Sequence, residues 1–166
     1  SRGLINRQKR IESAPEVPNE RSVASPIQKA KTIRLLTDEQ QNALKLFAQQ
    51  PQGSSLLLWG VTGSGKTEVY LQMASKELFE GRHCLMLAPE IGLIPQLVDR
   101  CRRRFPSQVF EYHSACSEKQ RSSVWREALN TVRPLLIVGT RSAIFLPLDP
   151  LGLIVLDEEH DSSYKQ

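Results

Sequence analysis

Gly60, Gly65, Lys66 and Thr67 stand at the spacing G-x-x-x-x-G-K-T, with Val61, Thr62, Gly63 and Ser64 filling the interval. Glycines let such a loop curl until successive backbone N–H groups point inward, and a helix opening at Lys66 adds the positive end of its dipole. The product is a phosphate cradle. Lys66 brings a mobile point charge for the outer phosphates, and the Thr67 hydroxyl suits Mg²⁺. Downstream, the apolar run 151–156 ends in Asp157, Glu158, Glu159 and His160. A phosphate cradle needs a second handle on its metal and a group to orient an attacking water. Asp157 at the strand end suits the metal, and Glu158 beside it suits the base.

The elements that must position these groups are legible in outline. Thr37 followed by Gln40 is a capping box, so a helix should open there, present Ala43, Leu44 and Phe47 as its apolar stripe, and stop at Pro51 and Gly53. Residues 56–59 read as a buried strand delivering the phosphate loop. The helix from Lys66 places Val69, Tyr70, Met73 and Ala74 on one face and ends at Gly81. Strands are expected over 83–87, 109–112, 135–138 and 153–156, and helices over 95–105 and 118–132, the last opened by a second capping box at Ser117 and Gln120. Alternation of strand and helix implies an α/β fold with right-handed crossovers, a parallel sheet and helices on both faces. Ligands then collect at the carboxyl ends of the strands, where every motif falls.

Composition sets the bounds. With 166 residues, 40% hydrophobic and 24% charged, the chain fits one globular domain with an extension. The net charge of +4 is unevenly placed: residues 1–34 hold eight Lys or Arg against three Asp or Glu, so residues 35–166 carry −1. Residues 1–34, with Pro15, Pro18 and Pro26, read as a basic linker or arm, and residues 2–5 as the possible end of a preceding DNA-binding domain. Cys84, Cys101 and Cys116 have neither zinc-ligand nor framework spacing, which fits a reducing cytoplasm. No apolar run reaches 18 residues, so no membrane partner is expected. Ser1 in place of Met, and the end at Gln166, suggest an excised fragment.

The acidic box resembles motif II of the superfamily 2 helicases, in the D-E-E-H variant of the PriA family of primosomal replication-restart helicases. Segments 60–70, 89–93, 113–114, 139–143 and 157–166 all resemble that family, and the likeness runs from about Leu36 to the last residue. It implies the first of two RecA-like motor lobes, occupying residues 35–166 and cut after motif II. It further implies ATP and Mg²⁺ as cofactors, with zinc only in a second lobe. Gln40 takes the position of a glutamine that reads adenine, although the same side chain is the capping partner of Thr37. Gly60, Val61, Thr62, Gly63, Ser64, Gly65, Lys66 and Thr67 hold the nucleotide, Thr67 and Asp157 the metal, and His160 links the nucleotide site to the DNA face. Pro89 and Glu90 fall in motif Ia, and Thr140 and Arg141 lie in a second strand-end loop. All four are expected to contact the DNA backbone, positioning the strand without reading its sequence.

Arg100, Arg102, Arg103 and Arg104 tempt one toward a nucleic-acid patch, but Leu97, Val98, Cys101 and Phe105 form the buried stripe of the same helix. The arginines are therefore expected on a solvated face. The expected activity of the intact protein is 3′-to-5′ DNA unwinding at stalled forks in the bacterial nucleoid. Its implied partners are single-stranded and forked DNA, a second helicase lobe, primosome proteins and single-strand-binding protein. The fragment alone is expected to bind nucleotide with little turnover. A RecG-like fork-remodelling lobe and a truncated, nucleotide-gated docking module are the competing readings.

Overall fold

The computed structural model describes residues 36–61 and 63–157. The basic arm, Thr62, and the stretch carrying Glu158 and His160 lie outside the described residues. Eight regular elements follow in order: α1 (Asp38–Gln49), α2 (Lys66–Phe79), β1 (His83–Leu87), α3 (Ile94–Arg104), β2 (Val109–Tyr112), α4 (Glu118–Asn130), β3 (Leu136–Gly139) and β4 (Leu151–Leu156). Short 3-10 turns occupy Ile91–Leu93 and Arg141–Phe145.

The four strands form one parallel sheet in the order β2-β3-β1-β4. Leu85 lies opposite Ile137 on one side and Ile154 on the other, so the strand ends are nearly level. Both central strands are buried throughout, as an apolar strand without polar alternation requires. Their side chains divide by the two-residue period. Cys84, Met86, Leu136 and Val138 join Val69, Met73, Leu97 and Val98 in a core under α1, α2 and α3. Leu85, Leu87 and Ile137 join Val124, Ala128, Leu146 and Leu148 under α4 and the second 3-10 turn. Helices thus cover both faces, as expected. The second cover stops short of β4, leaving Ile154 and Leu156 41% and 47% exposed.

Both capping boxes form as read: Thr37 and Ser117 accept from the N–H groups of Gln40 and Gln120, whose side chains answer to the cap backbones. The expectation for 56–59 is overturned. That run is extended but belongs to no strand, and Leu57 and Trp59 are 71% and 89% exposed. A ladder needs a neighbour about 4.8 Å away. β1 already has β3 and β4 on its two sides, while the run stands across a groove lined on the far side by residues 151–157. Only Leu58 packs against the core.

At the opposite end of the sheet, Glu77 is buried and paired with Arg82 at 2.5 Å. Gly152 lets β4 pass beneath that pair, because a Cβ there would collide with both side chains. Cys84 and Cys101 are free and buried, and burial pushes the Cys101 thiol up to about 12, so neither is a nucleophile at neutral pH.

His83 ties this end together. It is buried, its Nδ1 accepts from the Leu135 N–H at 3.0 Å, and its backbone N–H donates to the Pro150 carbonyl at 2.8 Å. Burial lowers its pKa from the usual 6.5, against a smaller raising effect of Asp149. The unfolded chain therefore binds a proton that the folded chain refuses, and stability should fall as pH drops below about 6.5. Urea midpoints measured between pH 7.5 and 5 should show this decline, and His83→Asn, which keeps an acceptor for Leu135, should flatten it.

Candidate functional site

The phosphate loop adopts the curl that its glycines permit. Gly63 and Gly65 both lie in the left-handed region, at φ 83° and 85°, and Gly65 is the N-cap of α2. The Ser64 N–H donates to Val61 O at 3.1 Å, and the Glu68 N–H to Gly65 O at 3.0 Å, so the loop closes directly onto the helix. Lys66 folds back over it, with Nζ donating to Gly60 O at 2.6 Å and to Val61 O at 3.1 Å. Its ammonium is held on carbonyl oxygens that a phosphate oxygen could replace. The first N–H groups of α2 have no intrahelical acceptor and point the same way.

Gln40 reaches the loop from α1. Its Oε1 accepts from the Thr37 N–H at 3.1 Å while its Nε2 donates to Ser64 O at 3.3 Å. Both ends of the amide are thus engaged, one in the capping box and one on the loop. A Cβ on Gly65 would collide with that Nε2, so this glycine serves both left-handed backbone and close approach.

Asp157 follows β4, and its N–H donates to Leu87 O at 3.0 Å, carrying the pairing with β1 to the strand end. It lines the same groove as Gly60, Gly65, Lys66 and Thr67. Its charge is also felt by Tyr70 on α2, whose pKa is pushed up to about 12, chiefly by burial and second by Asp157. Thr67 and Asp157 offer hard oxygen donors. Among the described residues no cluster of three or more His, Cys, Asp or Glu could cage a metal. The donor set fits Mg²⁺, which keeps its waters and takes one or two protein oxygens beside a phosphate.

A second, polar pocket opens at the ends of β1, β2 and β3. Pro89, Glu90, Thr140 and Arg141 all line it, so the four residues assigned to DNA contact come together. Ser114 and Ser142 join them, and the sequence reading had given neither a task. A signal existed for both, since Ser114 lies in the segment 113–114 and Ser142 in 139–143, two of those that resemble the helicase family. Gly139 permits the convergence: a Cβ there would strike the Tyr112 carbonyl, so β3 could not end this close to β2.

Arg100, Arg102 and Arg103 of α3 lie on the solvated face expected of them, and only Arg104 is drawn in. Arg103 pairs within the helix with Asp99, while the others reach partners outside it. Arg102 pairs with Glu111 on β2 at 2.8 Å, and Arg104 with Glu68 on α2 at 2.6 Å, where the two side chains are only 10% and 18% exposed. Arg100 Nη1 donates to Thr67 Oγ1 at 3.2 Å.

Comparison with known proteins adds the family. The model for DEAD/DEAH box helicases matches residues 37–166. The chain belongs to that helicase family. It is also 51% identical over 131 residues to the Replication restart protein PriA of Synechocystis sp., and 47% identical over 134 residues to that of Bacillus subtilis; each match covers 79% of this chain and 16% of the relative. Against the protein of the same name from Haemophilus influenzae, identity is 42% over 156 residues, 94% of this chain and 21% of the relative. The helicase match thus takes in both the groove and the polar pocket, while the chain spans only about a fifth or less of these relatives.

The loop geometry makes Gly65 the most sensitive position in the site. Gly65→Ala is expected to cost about 1–2 kcal/mol from the left-handed backbone alone. Urea denaturation should read that loss, and calorimetric titration with pyrophosphate should show anion binding weakened beyond it, because displaced Gln40 no longer braces Ser64.

Proposed function

We propose that this chain is the ATP-binding first lobe of a DNA helicase of replication restart, one that binds Mg·ATP in the groove and grips one DNA strand at the polar pocket. The observation that carries the reading is the convergence of Lys66 and Thr67 with Asp157, some 90 residues further along the chain, on one groove beside a pocket built from adjacent strand ends. Resemblance to the PriA family adds the rest: 3′-to-5′ translocation driven by ATP hydrolysis, unwinding at stalled forks, and loading of the replicative helicase.

Each residue has a defined task in this reading. Lys66 leaves the Gly60 and Val61 carbonyls for the outer phosphates, and the curled loop with the α2 N-terminus holds the inner ones. Thr67 and Asp157 hold Mg²⁺, which neutralises charge on the phosphates when bound. Glu158 orients the attacking water, His160 communicates with the DNA face, and Gln40 turns its amide from Ser64 toward the adenine edge. Pro89, Glu90, Thr140 and Arg141 position the DNA backbone. A charge-stabilising arginine comes from a second lobe, and such a group is responsible for about 10³ to 10⁵ in rate.

The isolated chain is therefore expected to bind a fluorescent ATP analogue with Mg²⁺, to lose about tenfold or more in affinity on Lys66→Ala, and to show little phosphate release with or without single-stranded DNA. DNA-stimulated turnover that disappears in Glu158→Gln would mean that the chain completes its own site, and the assignment of catalysis to two lobes would fall.

A further inference from the structure

The Arg100 to Thr67 hydrogen bond places a permanent positive charge on the one hydroxyl best suited to a metal. Arg100 stands four residues before Arg104, on the same ridge of α3, and the pair grips consecutive residues of α2: Arg100 takes Thr67 and Arg104 takes Glu68. Those are the residues directly after Lys66. The other face of α3 is fixed in the core by Ile94, Leu97, Val98 and Cys101, so the helix moves as a body or not at all.

A threonine oxygen offers two lone pairs, and Arg100 occupies one of them. A guanidinium does not lose its proton at any accessible pH, so it cannot share that oxygen with Mg²⁺ by neutralising itself. Two cations on one oxygen repel at a few ångströms, so each weakens the hold of the other. Arg100 and Mg²⁺ therefore compete for Thr67.

The consequence reaches further because of where α3 begins. Its first turn follows directly on the Ile91–Leu93 turn, and Pro89, Glu90, Ile91 and Gly92 line the polar pocket at the strand ends. One helix of 11 residues thus starts beside the polar pocket and carries, about 9 Å further along its axis, the arginine that holds Thr67.

We propose that Arg100 is a positioning residue that competes with Mg²⁺ for the Thr67 hydroxyl, yields to it when nucleotide binds, and through α3 links that exchange to the grip of the polar pocket on single-stranded DNA. This rests on the nucleotide reading of the groove and adds a residue to it. Linkage requires that the coupling run both ways: whatever shifts α3 from the pocket end alters the competition at Thr67, and the reverse.

The test is a Mg²⁺ titration at fixed non-hydrolysable ATP analogue, read by fluorescence of a labelled nucleotide, for the wild-type chain, Arg100→Gln and Arg102→Gln. Arg102→Gln removes the same charge from the same helix without touching Thr67. Arg100→Gln is expected to lower the Mg²⁺ concentration at half-saturation about three- to tenfold, because a competing charge is gone. Arg102→Gln should leave it unchanged. A merely structural residue could not produce tighter binding on removal. The second readout is the affinity for single-stranded oligonucleotide with and without saturating Mg·analogue: the ratio should differ from one in the wild type and approach one in Arg100→Gln. Unchanged or weaker Mg²⁺ dependence in Arg100→Gln, or an oligonucleotide ratio that survives the substitution, overturns the inference. Failure of the wild-type chain to bind the analogue at all would instead overturn the nucleotide reading, and this inference with it.

Discussion

The two central strands bury every side chain they carry, and that requirement arranges the rest of the molecule. A strand without a polar face must be covered above and below, so helices are needed on both sides of β1 and β3. Crossovers of one hand then return every strand in the same direction and bring the loops that follow them to a single edge. The loops after β1, β2 and β3 make the polar pocket there, and Asp157 leaves β4 at the same level through its bond to Leu87. Packing of apolar side chains, which carries no chemistry, thereby decides where chemistry is possible.

The cationic and donor groups at that edge are arranged to suit an anion. Lys66 is turned onto two backbone carbonyls, the N–H groups opening α2 are aimed outward, and Arg100 rests on a hydroxyl. These donors have weaker acceptors than they could have, and a phosphate chain would satisfy them together. Of the negative groups described there, Glu68 is bound to Arg104 in a largely buried pair, while Asp157 stands at a strand end facing the groove. Cationic groups and N–H donors beside an uncommitted carboxylate suit a Mg²⁺–phosphate ligand, which is of mixed sign.

Glycine enters this arrangement at two sites for two different reasons. Gly65 is needed for backbone sign, since its left-handed turn ends the loop and caps the helix, and also for clearance beneath Gln40. Gly139 has ordinary backbone and is needed only for clearance, where β3 passes the Tyr112 carbonyl. The first is visible in a motif. The second becomes visible only when the neighbouring strand is in place.

That distinction separates what the sequence determined from what the tertiary structure decided. The capping boxes at Thr37 and Ser117, the helix after Lys66 and the strand at 83–87 were legible because each depends on residues a few positions apart or on a hydrophobic run. The grouping of Lys66, Thr67 and Asp157, and of Pro89, Glu90, Thr140 and Arg141, followed from parallel topology once it was inferred. What could not be read were interactions set by distant neighbours. An apolar run at 56–59 has the composition of a buried strand, but a strand exists only if a partner's edge is available, and β4 lies across a groove from it. Three of the four arginines of α3 sit on the solvated face that their pattern implies, but the partners that Arg100, Arg102 and Arg104 take on α2 and β2 were not legible, because helix packing brings Thr67, Glu68 and Glu111 within reach. Local propensity and period are properties of the chain, whereas the partner of a strand edge or a long cationic side chain is a property of the fold.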